Sequence, residues 1–444
     1  MQTSRIAVVG GGIAGLSAAW VLSARHDVTL FEADGRVGGH SNTVDVPGPG
    51  NSPLGVDTGF IVYNERNYPG FSAMLSHLGV DTQESDMSFA YSSARTGLEW
   101  AGDSLGTLFA QRSNLFRPAF WRMLADILRF NRRSRQALDE LPEDERSLGE
   151  FLAAMDAGRE LTEHYLLPMA AAIWSCPRQE MLATPAHRLL RFFDNHGLID
   201  LFNRPRWRTV TGGSRQYIKR MLPGISGSHV TGTPIRRLAP HREGVRLYGD
   251  AGELGTFDQV VVAAHADQAL AMLENPGFWQ STLLSAFDYQ ANDAWLHTDT
   301  GHMPVRRTIW ASWNYMDGPP EAAPAITYWM NRLQRLPGPV DYLVSLNPQT
   351  PPDPASVLGR FHYRHPIFNQ AASRAQGMLQ HLQGRNRIWF CGSYFGHGFH
   401  EDALNSSLDV CRRMGVLPPW ARPRAAQAWP EPVEQLPRTD LQVS

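Results

Sequence analysis

Apolar residues near the start of the chain fall into two short runs separated by a helical stretch. The run Ile6–Val9 is uniformly apolar, as in a buried strand, and Val28–Phe31 is a second run of the same kind. Between them, Leu16–Ala24 has the composition of a helix. The whole uncharged stretch Ile6–Ala24 could also be a signal peptide or a membrane helix, but its glycines favour a strand, a turn and a helix.

The pattern of residues changes several times after this first unit. We predict, in order, a helical segment rich in Arg and Leu (68–203), two strands (245–248 and 260–263), an aromatic-rich irregular segment (271–384), a buried strand (388–392) and a helix (402–413). Residues 418–444 are rich in Pro, Ala and Arg, so we expect a flexible tail there.

Length and composition restrict the class of protein. At 444 residues the chain is long enough for two or three structural units. Its formal net charge of −2 argues against binding to nucleic acid, which requires a surplus of basic residues. Cys176, Cys391 and Cys411 are too few and too far apart for a disulfide framework or a zinc site. We therefore expect a cytoplasmic globular protein.

The glycines after the first strand form a nucleotide-binding pattern. Gly10, Gly12 and Gly15 fit G-x-G-x-x-G between a predicted strand and a predicted helix. The first glycine allows a tight turn, the second lets the backbone approach a diphosphate, and the third lets helix and strand pack closely. Glu32 ends the second strand, where its carboxylate would bind ribose hydroxyls. A glycine-rich turn without a ligand is the alternative interpretation.

Residues beyond the second strand favour a flavin dinucleotide over a nicotinamide one. Arg36 supplies a cation for a diphosphate, and Gly38 and Gly39 allow a second close approach of the backbone. With Glu32 and His40 these residues resemble the E-x-x-x-R-x-G-G-R pattern of the flavin-containing amine oxidoreductase superfamily, which includes monoamine oxidases, protoporphyrinogen oxidase and phytoene desaturases. His40 stands where the superfamily has its last arginine.

The resemblance to this superfamily continues in later segments. Gly59 ends a D-x-G element that lies near the flavin in the superfamily, and Ile235 matches an aliphatic residue that contacts adenine there. Phe390–Ser393 and Gly398–Ala403 match a strand and a helix start that face the isoalloxazine. The resemblance implies FAD as the cofactor and these binding residues: Gly10, Gly12, Ala14, Gly15, Glu32, Ala33, Arg36, Gly38, Gly39, His40, Gly59, Ile235, Gly392, Ser393, Asp402 and Ala403.

A closer resemblance covers most of the chain. Gly39–Thr43, Gly59–Asn64 and Gly396–Asp402 are similar to segments of a bacterial subfamily of NAD/FAD-binding, amine-oxidase-like proteins. Members of this subfamily are often encoded beside methyltransferases similar to cyclopropane-fatty-acid synthase. The resemblance therefore implies chemistry on modified fatty-acyl chains.

Together these patterns predict an α/β protein with two domains. A glutathione-reductase-like, FAD-binding Rossmann domain would comprise residues 1–70, 204–270 and 385–417. A discontinuous α+β substrate domain would comprise residues 71–203 and 271–384.

The candidate catalytic residues follow the glycines of the last motif. His400 and Glu401 could handle a proton beside the flavin, and contact with FAD through the backbone alone is the alternative. His397, His400 and Glu401 could also suggest a metal cluster, but no second paired motif accompanies them, so we predict no metal.

Other polar and aromatic residues outside the motifs could line a substrate pocket. Ordinary packing or hydrogen bonding explains each of them equally well. These residues are Tyr63, His265, His297, Tyr289, Trp295, Trp310, Trp313 and Tyr315.

Lysine content bears on the reaction. Many amine oxidases of the superfamily hold a water near flavin N5 with a lysine, but the single lysine here, Lys219, is in a different place. We therefore expect an FAD-dependent oxidoreductase that dehydrogenates or isomerises a lipid acyl chain, with an apolar, lipid-like substrate. The alternatives are a flavin amine oxidase and a non-catalytic lipid-binding escort protein of the same fold.

The segment Leu115–Arg135 combines an apolar stripe with many arginines. Phe116, Phe120 and Leu124 belong to the stripe, and Asp126 is the single acidic residue of the segment. A helix of this kind could lie on anionic lipid at the inner face of a membrane, as a peripheral contact. A helix that covers the substrate domain, with its arginines simply solvated, is the alternative.

Overall fold

The computed structural model describes residues 3–140, 146–174, 178–200, 205–318 and 325–420. The strands are β1 (Arg5–Val9), β2 (Asp27–Phe31), β3 (Thr43–Pro47), β4 (Pro53–Asp57), β5 (Tyr63–Asn64), β6 (Thr82–Glu84), β7 (Phe89–Ser93), β8 (Leu98–Ala101), β9 (Trp207–Val210), β10 (His229–Val230), β11 (Arg237–His241), β12 (Gly244–Gly249), β13 (Gly252–Phe257), β14 (Gln259–Val262), β15 (Asp288–His297), β16 (Trp313–Asp317), β17 (Ala325–Trp329), β18 (Leu343–Leu346), β19 (Val357–Ile367) and β20 (Ile388–Phe390). The helices are α1 (Ile13–Leu22), α2 (Pro69–His77), α3 (Leu105–Leu108), α4 (Pro118–Glu140), α5 (Leu148–Ala154), α6 (Arg159–Leu161), α7 (Leu167–Trp174), α8 (Arg178–Ala183), α9 (Ala186–Asn195), α10 (Arg215–Met221), α11 (Ala266–Met272), α12 (Phe278–Leu284), α13 (Met330–Leu333), α14 (Gln370–Gln376) and α15 (His400–Arg413).

A five-stranded parallel sheet carries the first nucleotide motif. Its strand order is β10-β2-β1-β14-β20, and every pairing within it is parallel. The central strands β1 and β14 are buried on both faces, which is why they consist of uninterrupted apolar runs in the sequence. The predicted α/β class with a Rossmann-like nucleotide domain is confirmed, while the division into two domains stays a prediction.

Helix α1 lies between this sheet and α15. It is buried on almost every side, so its sequence is apolar throughout and shows no amphipathic period. Small side chains let the two helices approach closely, and the hydroxyls of Ser17 and Ser407 lie 2.6 Å apart. Burial inside the protein explains the uncharged stretch that also resembled a signal peptide or a membrane helix.

A second large sheet corrects two of the expectations drawn from the sequence. Its seven strands have the order β19-β15-β18-β17-β16-β7-β8. The segment predicted to be irregular, 271–384, contains β15 to β19, and the segment predicted to be helical, 68–203, contains β6 to β8. Buried polar residues such as Asn292 and Asn314 interrupt the alternation of polar and apolar residues in these strands. Both interact with neighbouring segments by hydrogen bonds, which makes their burial tolerable.

Helices α4 to α9 pack beside the second sheet. The helix predicted over 115–135 is confirmed from Pro118 onward as α4, whereas Leu115 and Phe116 belong to a 3-10 turn at Arg112–Phe116. Phe120, Met123 and Phe130 of α4 are buried in a core that this helix shares with α5 and α9. Among the described residues, no helix is both long enough and apolar enough to cross a membrane.

The end of the chain is described as far as residue 420. Trp420 stacks on Trp20 of α1, with ring centroids 5.6 Å apart. The predicted flexible tail begins at 418, and residues 421–444 of it lie outside the described residues.

One buried carboxyl group links the segments around the nucleotide sheet to the second sheet. Asp57, at the end of β4, accepts hydrogen bonds from the backbone N–H of Ser214 (2.9 Å), the hydroxyl of Thr43 (2.6 Å) and the side-chain amide of Gln334 (2.9 Å). The Asp57 backbone N–H in turn donates to the Gln334 side chain. Burial raises the pKa of Asp57 to about 6, although its hydrogen bonds act in the opposite direction.

This raised pKa predicts a change of stability with pH. Below about pH 4 the Asp57 carboxyl is protonated in both the folded and the unfolded chain. As the pH rises towards 6, Asp57 ionises in the unfolded chain while it stays protonated in the folded chain. The free energy of unfolding therefore falls. In the variant Asp57→Asn this fall between pH 4 and pH 7 should be smaller by about 2 kcal/mol. Urea unfolding at a series of pH values measures it, and parallel curves for the two proteins would contradict it.

Candidate functional site

A large cavity opens where the parallel strands of the nucleotide sheet end. Gly10, Ala263 and Gly392, which follow β1, β14 and β20 within two residues, line its wall. Its volume of about 1440 Å³ exceeds that of pockets for single drug-sized ligands, which are roughly 300–1,000 Å³. The carboxyl ends of the strands are where open α/β sheets bind dinucleotides. The cavity is therefore large enough for a dinucleotide and a substrate.

The first glycine turn shapes one end of this cavity. Gly10 has a φ of +107°, and a Cβ atom there would collide with the carbonyl oxygen of Ala263. A Cβ atom on Gly15 would collide with the carbonyl oxygen of Gly10. At Gly12, by contrast, a Cβ atom would meet no atom within 4 Å, because this residue faces the cavity. The first and third glycines thus pack the turn, and the second keeps space open for a ligand.

The second glycine pair is fastened to the first turn. The backbone N–H of Gly38 donates to the carbonyl oxygen of Gly11 at 2.7 Å. Arg36 donates to the carbonyl oxygen of Gly39 at 2.8 Å and lines the cavity together with Glu32. The Glu32 carboxylate accepts a hydrogen bond of 2.6 Å from the backbone N–H of Gly11, which holds it beside the turn. A carboxylate and a guanidinium therefore lie at the places where a ribose and a diphosphate are expected.

The start of α15 lies at the cavity, but two of its acidic residues turn away from it. Glu401 accepts hydrogen bonds from the backbone N–H groups of Gly70 (2.8 Å) and Phe71 (2.9 Å), at the start of α2. Asp402 accepts a hydrogen bond from the backbone N–H of Phe399 and so caps its own helix. Neither carboxylate lines the cavity. In this geometry both carboxylates cap helices, whereas the sequence suggested a proton-handling role for Glu401 and a cofactor contact for Asp402.

His400, the other catalytic candidate, does line the cavity. Its ring stacks on Phe60 with centroids 3.6 Å apart, and its Nε2 atom lies 2.9 Å from the hydroxyl of Ser41. Ser41 is also hydrogen-bonded to the hydroxyl of Tyr217. Burial lowers the pKa of His400 to about 3, so its imidazole is neutral at physiological pH. The stacking and the hydrogen bond fix the orientation of this ring.

Three more histidines lie near one another in the cavity wall. The ring centroid of His40 is 5.3 Å from that of His365 and 6.4 Å from that of His265. The ring centroid of Tyr363 is 4.9 Å from that of His40. Burial and mutual repulsion lower the pKa of His40 well below its usual value, and burial lowers those of the other two to about 4. His40 Nε2 and His265 Nδ1 are buried without a hydrogen-bond partner among the described residues. Such orphaned atoms are expected where a bound group supplies the partner.

Aromatic side chains from several segments surround the rest of the cavity. Trp313 lines it, as the sequence suggested, whereas Tyr289, Trp295, Trp310 and Tyr315 do not. Tyr63 and His297 are also outside the wall, packed in the core, while His265 belongs to it. The other aromatic residues of the wall, which sequence reasoning did not assign to the pocket, are Phe31, Phe60, Tyr68, Phe89, Trp100, Tyr165, Phe192, Trp207, Tyr328, Tyr363, Phe368, Tyr394 and Phe399.

A charged group in the wall was also missed. The guanidinium of Arg332 contacts Asp86 at 3.1 Å and Asp103 at 2.7 Å, and all three residues line the cavity. Asp86 further accepts hydrogen bonds from Ser88 and Ser312. These residues are far apart in the sequence and follow no motif, so no local signal could have identified them.

Most of the predicted site residues are brought together by the fold. Gly15 and Gly38 pack the loops behind the wall, and Glu401 and Asp402 cap helices. Among the described residues, no group of three His, Cys, Asp or Glu side chains could hold a metal ion. The predicted residues in the wall are Gly10, Gly12, Ala14, Glu32, Ala33, Arg36, Gly39, His40, Gly59, Ile235, Gly392, Ser393, His400 and Ala403.

Comparison with known proteins agrees with this arrangement. The sequence profile of the family described as flavin containing amine oxidoreductase matches residues 13–415. The AofH protein of Mycobacterium tuberculosis, whose name describes a flavin-containing monoamine oxidase, is 26% identical over 265 residues, which cover 56% of this chain and 55% of that protein. The chain thus spans about half the length of the curated relatives it matches first.

Solved structures share the fold over almost the whole chain. A CLA-producing fatty acid isomerase from P. acnes superposes with a TM-score of 0.65 at 15% identity, covering 93% of this chain and 99% of that one. A putrescine oxidase bound to putrescine superposes with a TM-score of 0.63 at 15% identity and the same coverage. At this level of identity the likeness concerns the fold alone.

The open space at Gly12 yields a test of the cofactor site. Gly12 has an ordinary extended backbone with φ −71°, so Gly12→Asp should leave the apoprotein folded while its carboxylate repels the diphosphate of FAD. We expect this variant to purify without flavin absorbance. Gly35→Asp is the matched control, because Gly35 is exposed, also has open space around it and lies outside the cavity wall. Tight retention of FAD by Gly12→Asp would contradict the proposed site.

The capping role of Glu401 yields a second test. Glu401→Ala leaves two backbone N–H groups of α2 without their acceptor, so the free energy of unfolding should fall by about 1–3 kcal/mol. Glu401→Gln keeps one acceptor oxygen and should lose less. Both variants should bind FAD and reduce it with substrate at the rate of the wild type. Loss of flavin reduction in Glu401→Gln at unchanged stability would return this residue to a catalytic role.

Proposed function

The chain belongs to the flavin containing amine oxidoreductase family, and we propose that it acts on a lipid acyl chain, which it dehydrogenates or isomerises. It is an FAD-dependent oxidoreductase, and FAD, when bound, supplies an acceptor for a hydride from the substrate. The residues suited to hold FAD are those of the two glycine turns, Glu32, Arg36 and the start of α15. The specific substrate is the subject of the proposal.

The aromatic and largely neutral wall of the cavity is the observation that carries this proposal. Aromatic side chains of the wall, such as Tyr165, Phe192 and Trp313, offer dispersion contacts and exclude water, which an acyl chain needs more than charged ligands. The single lysine, Lys219, is exposed on α10 and does not line the cavity. The fold is shared with a fatty acid isomerase, which is consistent with a substrate of this class.

His400 is the residue we propose to relay a proton during the reaction. It faces the cavity as a neutral imidazole, and its hydrogen bond to Ser41 continues to Tyr217. A neutral ring can accept a proton at Nδ1 while it releases the proton of Nε2 to the hydroxyl of Ser41. Because His400 stacks on Phe60, its free ring nitrogen keeps a fixed direction.

Amine oxidation is the second candidate function, and one feature of the cavity favours it. Asp86 and Asp103 both contact Arg332 in the cavity wall, and carboxylates in a cavity wall suit an ammonium group. The fold is also shared with a putrescine oxidase. Against this candidate stands the apolar surface that makes up most of the cavity.

We also propose that the protein contacts a membrane peripherally. An apolar acyl substrate is dissolved in, or attached to, a bilayer, so a cytoplasmic enzyme would gain from peripheral contact with the inner face of a membrane. The subfamily resemblance of Gly39–Thr43 and Gly396–Asp402 supports modified fatty-acyl chains as the substrate class.

The two candidate functions differ in what reduces the flavin. We expect dehydrogenation to bleach the flavin absorbance within seconds to minutes of anaerobic mixing with oleate or a methyl-branched stearate, and isomerisation to be detected as a shifted double bond in the recovered oleate. Benzylamine and putrescine should leave the absorbance unchanged over the same time. Free FAD mixed with each compound is the control for non-enzymatic reduction. Rapid bleaching by the amines without any by the lipids would establish the second candidate and reject the first.

A further inference from the structure

We infer that the outer face of α4 and of the turn before it docks onto the surface of an anionic phospholipid bilayer. This α4 outer face consists of four exposed apolar residues, Leu115, Phe116, Trp121 and Leu128, with exposed arginines beside them, Arg112, Arg122, Arg132 and Arg133. The inference concerns this surface alone and holds whichever substrate the cavity takes.

The apolar residues of this face are exposed to an unusual degree. The side chain of Phe116 is 85% exposed, that of Leu128 is 55% exposed and that of Trp121 is 50% exposed. Together with Leu115 and Pro118, Phe116 and Trp121 line a shallow groove of about 540 Å³. Contiguous exposed apolar surface of this kind marks a binding site, since single exposed residues would be scattered.

The structure divides the apolar stripe that the sequence suggested, because Phe116 of that stripe lies on the exposed face together with Leu128. Phe120 and Met123 point inward and are 3% and 1% exposed, in the core shared with α9. They account for the amphipathic pattern of the helix and need no membrane. Trp121 and Leu128 lie on the opposite side, where half or more of each side chain is exposed. The helix therefore has a second apolar face that the packing of the protein does not explain.

The position of Trp121 is fixed. Its indole N–H donates to the carbonyl oxygen of Leu115 at 3.0 Å, and Phe109 packs against its ring with centroids 5.3 Å apart. The ring is thus held at the surface and does not fold back into the core. Trp side chains suit the boundary between lipid headgroups and acyl chains, because one edge is polar and the rest is apolar.

The charges on this face select an anionic surface as the partner. Arg122 pairs with Glu160 and Arg129 with Asp126. Among the described residues, Arg112, Arg117, Arg132 and Arg133 have no ion-pair partner. Each unpaired arginine near an anionic bilayer contributes about 1 kcal/mol of attraction, and its guanidinium can bind lipid phosphates through two hydrogen bonds.

The inner side of the same helix reaches the wall of the cavity. Phe120 and Met123 share one core with Tyr165 and Phe192, and both of these aromatic residues line the cavity. A bilayer bound to the α4 outer face would therefore lie one helix layer away from the cavity.

Flotation with vesicles tests the inference on the full-length holoprotein. We expect binding to vesicles of phosphatidylcholine with 30% phosphatidylglycerol and at least tenfold less binding to pure phosphatidylcholine. The double variant Phe116→Ser/Trp121→Ser should reduce binding to the anionic vesicles at least tenfold. Phe278→Ser is the matched control, because Phe278 is 74% exposed on a different helix, α12, and this variant should bind like the wild type.

The arginines are tested in the same assay. Arg132→Gln/Arg133→Gln should weaken binding severalfold and reduce its dependence on salt. Retained flavin absorbance shows that each variant is folded. Equal binding to both kinds of vesicle, or unchanged binding of Phe116→Ser/Trp121→Ser, would overturn the inference. So would a dimer in sedimentation velocity that only this double variant dissociates, because the face would then be an interface between two copies of the chain.

Discussion

The close contact between the first glycine turn and the end of β14 is the constraint on which the rest of the site depends. No side chain fits at Gly10 or Gly15, since the space is taken by the backbone of Ala263 and of the turn itself. The turn therefore lies flat against the sheet, and α1 starts at the carboxyl end of the central strand. This position leaves Gly12 facing open space, and the second glycine loop is hydrogen-bonded to the same turn. A cavity large enough for a dinucleotide follows from this packing.

Apolar runs and required glycines are local sequence signals, and they made the nucleotide sheet predictable. The apolar runs of β1, β14 and β20 reflect burial on both faces of a parallel sheet. Glycine is required at Gly10 and Gly15 because any side chain there would collide with backbone atoms. The second sheet could not be predicted in this way. Its buried asparagines are satisfied by partners on other segments, as when Asn347 donates to Asn292, and their burial hides the strand period.

The same distinction applies to the site. Residues whose role depends on the backbone, such as Gly12 and Gly59, were predictable, because motifs record backbone geometry. The capping contacts of Glu401 were not predictable, because its partners are N–H groups of α2, which is distant in the sequence. The pair Asp86 and Arg332 is formed by segments that only the second sheet brings together. Side chains that act through distant partners leave no signal in a single sequence.

The distribution of charge in the cavity gives the site two unlike ends. Near the glycine turns the histidines are neutral, since burial and their mutual repulsion oppose protonation, and Arg36 lines the wall beside the second glycine pair. Charged side chains reappear at Asp86 and Arg332, in the wall formed by the second sheet. Between these ends the wall is aromatic. A substrate that is apolar along most of its length and polar at one end would satisfy both parts of this wall, as an acyl lipid does, whereas a small diamine would leave the aromatic part without a partner.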